Sequence, residues 1–314
     1  MKQDKNPKSK VWTIIIILFI LFLVGTLMAS VIAFFSDFNS ENEYGGNGNV
    51  ALIPLKGVLL TDDDSSFMGV QGQASSTKIV RQLEEARDNP DIQAIVLDIN
   101  SPGGSGVAAD EIIEAMNDIK QNKTIVAWIR DMGASAAFWV SVASNYTIAD
   151  RLSMTGSIGV IGSYLEYPGL LDRFNVTYRR LVAGKYKDTG SPYREMTKEE
   201  QVLDQQKLDA MHDIFIRDVA KYRHLDVKEV RKIATGMVYL GSEAKDLGLI
   251  DEVGGKRSVV KYLEKNLNTS VSFVEHKEKK SVLDWLQILQ SQGLAKADIA
   301  QWLFLTQEKV PSFS

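Results

Sequence analysis

The chain has 314 residues, 45% of them hydrophobic, with a formal net charge of −4 at pH 7. That content supports one large domain or two small ones, and the mildly acidic balance lacks the basic field that nucleic-acid binding requires. Cysteine is absent, which excludes thiol catalysis, disulfides and thiolate metal sites and suits export to an oxidising compartment.

Lys2, Lys5, Lys8 and Lys10 fall within residues 1–10, and residues 11–35, VWTIIIILFILFLVGTLMASVIAFF, are almost wholly apolar. About twenty such residues span a hydrocarbon core. The lysines before the run, against Asp37, Glu41 and Glu43 after it, place the N-terminus in the cytoplasm and everything beyond Ser36 outside. A signal peptide cut near Met28-Ala29-Ser30 or Val31-Ile32-Ala33 is the rival, but its apolar core is normally shorter. The run therefore reads as one uncleaved transmembrane helix. Residues 36–49, with SENEYGGNGN, read as a flexible linker.

Val50 to Leu60 reads as a strand, a bend at Pro54 and Gly57, and a second short strand. Asp62 to Ser76 is a polar loop, and Ser75 or Ser76 caps a helix with Ile79, Val80, Leu83 and Ala86 on one face, ending before Asn89-Pro90. Ile92 to Ile99 is a buried-type strand that runs into NSPGGSG, residues 100–106; a helix follows over Ala108 to Gln121, then a strand over Thr124 to Ile129. Asp131-Met132-Gly133 reads as a turn, Ser135 opens an apolar helix, and Thr155 to Val160, TGSIGV, is a second glycine-punctuated turn. Tyr178 to Val182 reads as a strand leading into the loop AGKYKDTGSP, and TKEE at Thr197 resembles a capping box opening a long helix over Met196 to Tyr222. A helix over Asp226 to Ala234 and a helix-turn-strand unit over residues 238–255 complete a domain over 50–263. Strands alternating with helices predict a mostly parallel α/β sheet with right-handed crossovers. Its site lies in the loops leaving the strands' carboxyl ends, where both NSPGGSG and Ser135 fall. The tail, 264–314, carries an amphipathic helix with Trp285, Ile288, Leu289, Ile299, Trp302 and Leu303 on its apolar face, suited to packing on the domain or a neighbouring subunit.

Small residues on both sides of Ser135 leave its hydroxyl unobstructed. A helix starting there would bring free N–H groups and a positive dipole end beside that oxygen; the plainer alternative is an N-cap. The glycines of NSPGGSG allow a backbone N–H to face a ligand oxygen, as an oxyanion hole requires, or serve only a tight turn. A serine needs a base. The three histidines, His212, His224 and His276, lie in charge-rich stretches and read as solvated surface side chains, so a His-based triad or zinc site is disfavoured. Carboxylates and lysines remain. A lysine serves if burial lowers its pKa from about 10.4 toward 7–8. Lys185 and Lys187 are the candidates, and spacing does not choose between them.

Six motifs in order, VALIPLKGVL, NSPGG, MGASAAFWVSVAS, TGSIGV, GKYKDTGSPYREMT and VYLGSEAKDLGLIDEVGG, resemble the short, single-repeat signal peptide peptidase A serine proteases over residues 50–260. The resemblance implies a crotonase/ClpP-like α/β fold of repeated ββα units and a Ser–Lys dyad without cofactor or metal. Ser135 matches the nucleophile, Lys187 the base and Ser157 the serine that holds the amine, leaving Lys185 as a loop residue. Gly104 matches the oxyanion glycine, with the N–H at Ser135 or nearby as partner. Gly103, Gly159 and Val160 line a groove where an extended peptide pairs as an added strand. The resemblance further implies a homo-oligomeric ring, with the lysine reaching the serine either within one chain or across a subunit contact. Ala136 and Ala137 stand where many members carry glycine, and Asp98 where many carry arginine. The expected function is a membrane-anchored endopeptidase, its catalytic domain extracytoplasmic, that degrades remnant signal peptides. The other readings are a crotonase-like acyl-thioester enzyme and a non-catalytic membrane scaffold, peptide-binding or immunity-type protein.

Overall fold

The computed structural model describes residues 21–26, 28, 48–62 and 73–276. In chain order, β1 (Val50–Lys56) and β2 (Leu59–Leu60) precede β3 (Ala74–Ser75) and α1 (Ser76–Asp88). Next come β4 (Ala94–Ser101), α2 (Gly106–Ile119), β5 (Thr124–Ala134), α3 (Ala136–Val142), β6 (Tyr146–Ala149) and β7 (Met154–Gly156). The remainder holds α4 (Pro168–Arg173), α5 (Lys198–Arg223), α6 (Val227–Ile233), β8 (Val238–Leu240), α7 (Gly241–Asp246), β9 (Glu252–Val253), α8 (Lys256–Leu267) and β10 (Phe273–Glu275).

The main sheet has the order β10-β1-β4-β5-β6-β9, with β7 branching from β5 and β8 from β7. Every pairing is parallel except β7 with β8. Helices cover both faces, which explains why β4 opens on a continuous apolar run, Ala94 to Leu97, rather than an alternating one. Ile95, Leu97 and Ile99 pack in the larger core with Phe138 and Phe215. Ala94 and Val96 face the other way, beneath Val259 and Leu263 of α8. Pro54 lies within β1, not at a break. Val50 N–H points toward the β10 side, so by alternation Pro54's missing N–H points there too, beyond the register where β10 ends. Asp98, the one acid within β4, is buried and ion-paired with Lys56 at 2.7 Å.

Several local expectations need correction. Tyr178 to Val182 is not a strand: it pairs with no strand among the described residues, and Leu181 is 96% exposed. Asp131 to Gly133 is no turn but the last part of β5. His276 is not a surface group; its side chain is buried with Nε2 2.5 Å from Glu85 Oε2. His212 is half-buried, with Nε2 3.2 Å from Ile158 O.

Residues Tyr44–His276 form one compact unit, because β10 pairs with β1 and carries the sheet past residue 263. The residue before β1 is tied to the residue before β10: Asn49 N–H donates to Ser272 O at 2.9 Å, and Asn49 Oδ1 accepts from Ser272 N–H at 2.9 Å. Among the described residues no helix is long and apolar enough to cross a membrane. Apart from residues 21–26 and 28, which are helical, the expected anchor at 11–35 lies outside the described residues. So do the linker up to Asn47 and the tail beyond His276.

Candidate active site

Ser135 owes its position to an irregularity in β5. Successive pairs between β4 and β5 run to Ile99 with Ile129, and the next pair is Ser101 with Gly133, so two steps on β4 face four on β5. Such a bulge bends a strand and re-aims the residues beyond it. Asn100 staples it: its Oδ1 accepts from Met132 N–H at 3.2 Å and its Nδ2 donates to Asp131 Oδ2 at 3.1 Å. The Ser153 hydroxyl reaches Ile129 O at 3.3 Å from the other side. Beyond the bulge β5 changes neighbour from β6 to β7, and Thr155 Oγ1 donates to Gly133 O at 2.7 Å.

The strand delivers Ser135 at φ 53°, ψ −126°, a conformation that costs a non-glycine residue about 1–3 kcal/mol. Two bonds hold it: Ser135 N–H to Gly156 O and Trp139 N–H to Ser135 O, both 2.9 Å. Ser135 occupies the N-cap position of α3, yet its hydroxyl makes no capping bond. The capping alternative therefore fails, and the oxygen is left for other work.

NSPGG is pressed against this turn. A Cβ on Gly103 (φ 97°) would stand 2.8 Å from Ser135 Cβ and from Ala136 N, and one on Gly104 (φ 155°) would overlap Leu59 O. Leu59 bonds on either side of Gly104, donating to Gly103 O at 2.9 Å and accepting from Ser105 N–H at 2.8 Å. Gly104 N–H and Ala136 N–H have no acceptor among the described residues. Ser135 N–H is taken by Gly156 O, so the unpaired N–H next to the Ser135 hydroxyl, besides that of Gly104, belongs to Ala136.

Ser135, Gly104, Gly159 and Val160 line one cleft of about 530 Å³. Its far wall is hydrocarbon: Met211, Ile214 and Phe215 of α5, with Phe215 stacked on Trp139 at 4.5 Å and 11°. Trp139 Nε1–H is spent on Asp218 at 3.0 Å.

Two expected members, Ser157 and Lys187, do not line this cleft. Ser157 (φ 52°) donates its hydroxyl to Gly236 O at 3.2 Å. Lys187 is exposed, does not line the cleft, and its amine makes no hydrogen bond or ion pair among the described residues. The lysines of the loop are nonetheless distinguishable. Lys185 is tied to Glu199 at 2.6 Å, and bonding to Glu199 and Tyr186 raises its pKa, the wrong direction for a neutral base.

The residue after Lys187 anchors the loop. Asp188 accepts two bonds from Arg180 (2.6 and 2.7 Å) and two from Arg194 (3.0 and 3.1 Å). Arg194 also donates to both oxygens of buried Glu200, at 2.9 and 2.6 Å, and Glu200 closes the capping box of α5 with Thr197. The Arg180 and Arg194 guanidinium groups hold the Asp188 carboxyl far below the usual range, and Arg194 with Thr197 N–H does the same for Glu200. Around this clamp, residues 157–197 leave Ile161, Leu165, Phe174 and Leu181 at least 70% exposed.

The sequence profile of peptidase family S49 matches residues 117–270, and that of Clp protease matches residues 55–161. A provisionally named protease of Methanocaldococcus jannaschii is 31% identical over 263 residues, covering 83% of this chain and 84% of that protein. The chain belongs to peptidase family S49. The S49 chain is also 30% identical over 258 residues to a provisionally named signal peptide peptidase SppA of Enterococcus faecium, covering 80% and 75% of the two. Against Protease 4 of Haemophilus influenzae it is 29% identical over 226 residues, 72% of this chain but 36% of that one. The S49 chain is a serine protease with a parallel-dominated α/β sheet of the Clp-protease kind.

Reading the sequence of this S49 peptidase missed the staple formed by Asn100, Ser153 and Thr155, because a bulge is defined by a partner strand that no local pattern reveals. The cleft wall left a signal that went unused. Met211, Ile214 and Phe215 stand at helical spacing, i, i+3 and i+4, and mark one apolar stripe of α5.

Proposed function

We propose that this S49 peptidase is a membrane-anchored endopeptidase in which Ser135 is the nucleophile and Lys187 of a neighbouring protomer is the general base. The observation that carries the reading is the uncapped Ser135 hydroxyl, on a strained turn beside two unpaired N–H groups, at the mouth of an apolar cleft. Ser135 attacks the scissile carbonyl as the neutral lysine takes its proton. Gly104 and Ala136 N–H groups stabilise the oxyanion, a contribution of about 10²–10³ per donor in rate. The amine leaves with a proton from the lysine, which then activates water to release the acyl-enzyme.

An exposed Lys187 on a clamped loop, within an arm rich in exposed apolar groups, supports completion of the site across a subunit contact in a ring. There Ser157 would hold the amine, and contact with the neighbour would supply the burial that a neutral lysine needs. Gly103, Gly159 and Val160 border the path of an extended substrate. The apolar cleft suits remnant signal peptides cut within their apolar stretch. Residues 11–35 are the anchor, and the repeated ββα catalytic domain faces away from the cytoplasm. In assays on apolar peptides, Ser135→Ala and Lys187→Ala each lower kcat by about 10³ or more. Reassembling the two inactive proteins together restores activity if the dyad spans protomers. Retained cleavage by Ser135→Ala removes the nucleophile assignment, and failure of the mixture to recover removes the shared site.

A further inference from the structure

The hydrocarbon-walled cleft has one charged lining residue, and the mechanism gives it no role. Asp110 sits on α2 one turn after Val107, and both line the cleft. The first turn of α2 backs onto the indole wall: a Cβ on Gly106 would stand 3.8 Å from Trp139 Cζ3. Asp110 is exposed, and its carboxylate makes no ion pair or hydrogen bond among the described residues. Trp139 offers a ligand no donor, since its N–H is bonded to Asp218. A side chain entering the cleft therefore meets the Trp139–Phe215 stack, Ile214 and Met211 along its stem, and a single free negative charge on the α2 side.

We propose that Asp110 is a specificity-determining residue that selects substrate side chains with a long aliphatic stem ending in a cation, lysine or arginine, over those ending in a carboxylate. The proposal rests on the reading of this cleft as the place where Ser135 cuts peptides, and it narrows that reading: the preferred cut moves to where the apolar stretch meets a lysine or arginine. The stem lies along the apolar wall while the charged head stays at the wet rim beside Asp110. An uncharged aliphatic side chain of equal length gains the wall contact alone. A glutamate meets a like charge and loses hydration without compensation.

The test uses the full-length protein and three peptides that differ at one residue, norleucine, lysine or glutamate, with that residue moved position by position across the scissile bond. At the position that fills the cleft, kcat/KM falls in the order lysine, norleucine, glutamate. Asp110→Asn lowers the lysine-to-norleucine ratio about fivefold, the scale of a partly exposed ion pair, and Asp110→Lys inverts the lysine–glutamate order. Raising the salt concentration compresses the ratio in the wild type but not in Asp110→Asn. Equal ratios for wild type and Asp110→Asn at every position overturn the proposal. If norleucine peptides are cut in a Ser135-dependent way without charge preference, Asp110 alone loses its role. If none of the three is cut, the Ser135 reading falls first and takes this one with it.

Discussion

Ser135 holds a backbone conformation that glycine adopts freely and serine does not. Ser135→Gly therefore abolishes cleavage while stabilising the fold by about 1 kcal/mol relative to Ser135→Ala, which keeps the strain. Thermal denaturation of the two inactive proteins side by side checks this, and equal melting temperatures would contradict it. Gly104 makes the opposite case: an added methyl would collide with the Leu59 carbonyl, a backbone group that cannot swing aside. Gly104→Ala should lose about 3 kcal/mol together with activity, a magnitude reserved for a few named defects. Asn100→Ala leaves the chemistry in place but frees Asp131 and Met132, so the Ser135 turn loses its register. A fall in kcat of about 10²-fold, with KM nearly kept, is expected when a reacting group is displaced by an ångström.

Among the elements, α5 does two jobs: its middle walls the cleft, and its first turn grips the Lys187 loop through Glu200 and Arg194. Both carboxyls of the clamp have folded pKa values depressed below their unfolded ones. Their contribution is complete above the range where free carboxylates titrate, about pH 4, and is lost as pH falls through the depressed values. The melting-temperature gap between wild type and Arg194→Gln is thus widest near neutral pH and closes in acid; a gap independent of pH would refute the clamp. Elements whose cause is local were legible in the sequence. Ser75 caps α1 and Thr197 with Glu200 boxes α5, because those bonds join residues three apart. The misread elements depend on distant partners. Tyr178 to Val182 has strand composition but pairs with no strand among the described residues. β5 runs four residues past Arg130 because β7 receives it. The same division runs through the site: GAS and NSPGG stand out as glycine-rich turns, whereas the walls and staples come from elements far along the chain.

Across the whole catalytic unit, the exposed apolar arm and the solitary Lys187 amine make activity a property of the assembly if the dyad is shared between protomers. Leu181→Asp, on a side chain 96% exposed, then disperses the oligomer and lowers specific activity without lowering the protomer's melting temperature. Sedimentation alongside peptide assays measures both, and an active, monomeric Leu181→Asp protein would refute the shared site. The hydrogen bonds between Asn49 and Ser272 carry a consequence of another kind. Because β10 then runs only three residues alongside β1, a peptide long enough to span back from His276 to Asn49 could join the two, and new ends could be opened in a surface loop elsewhere. Such a rearranged gene should still yield a folded catalytic unit, severed from the segments before Asn49 and after His276.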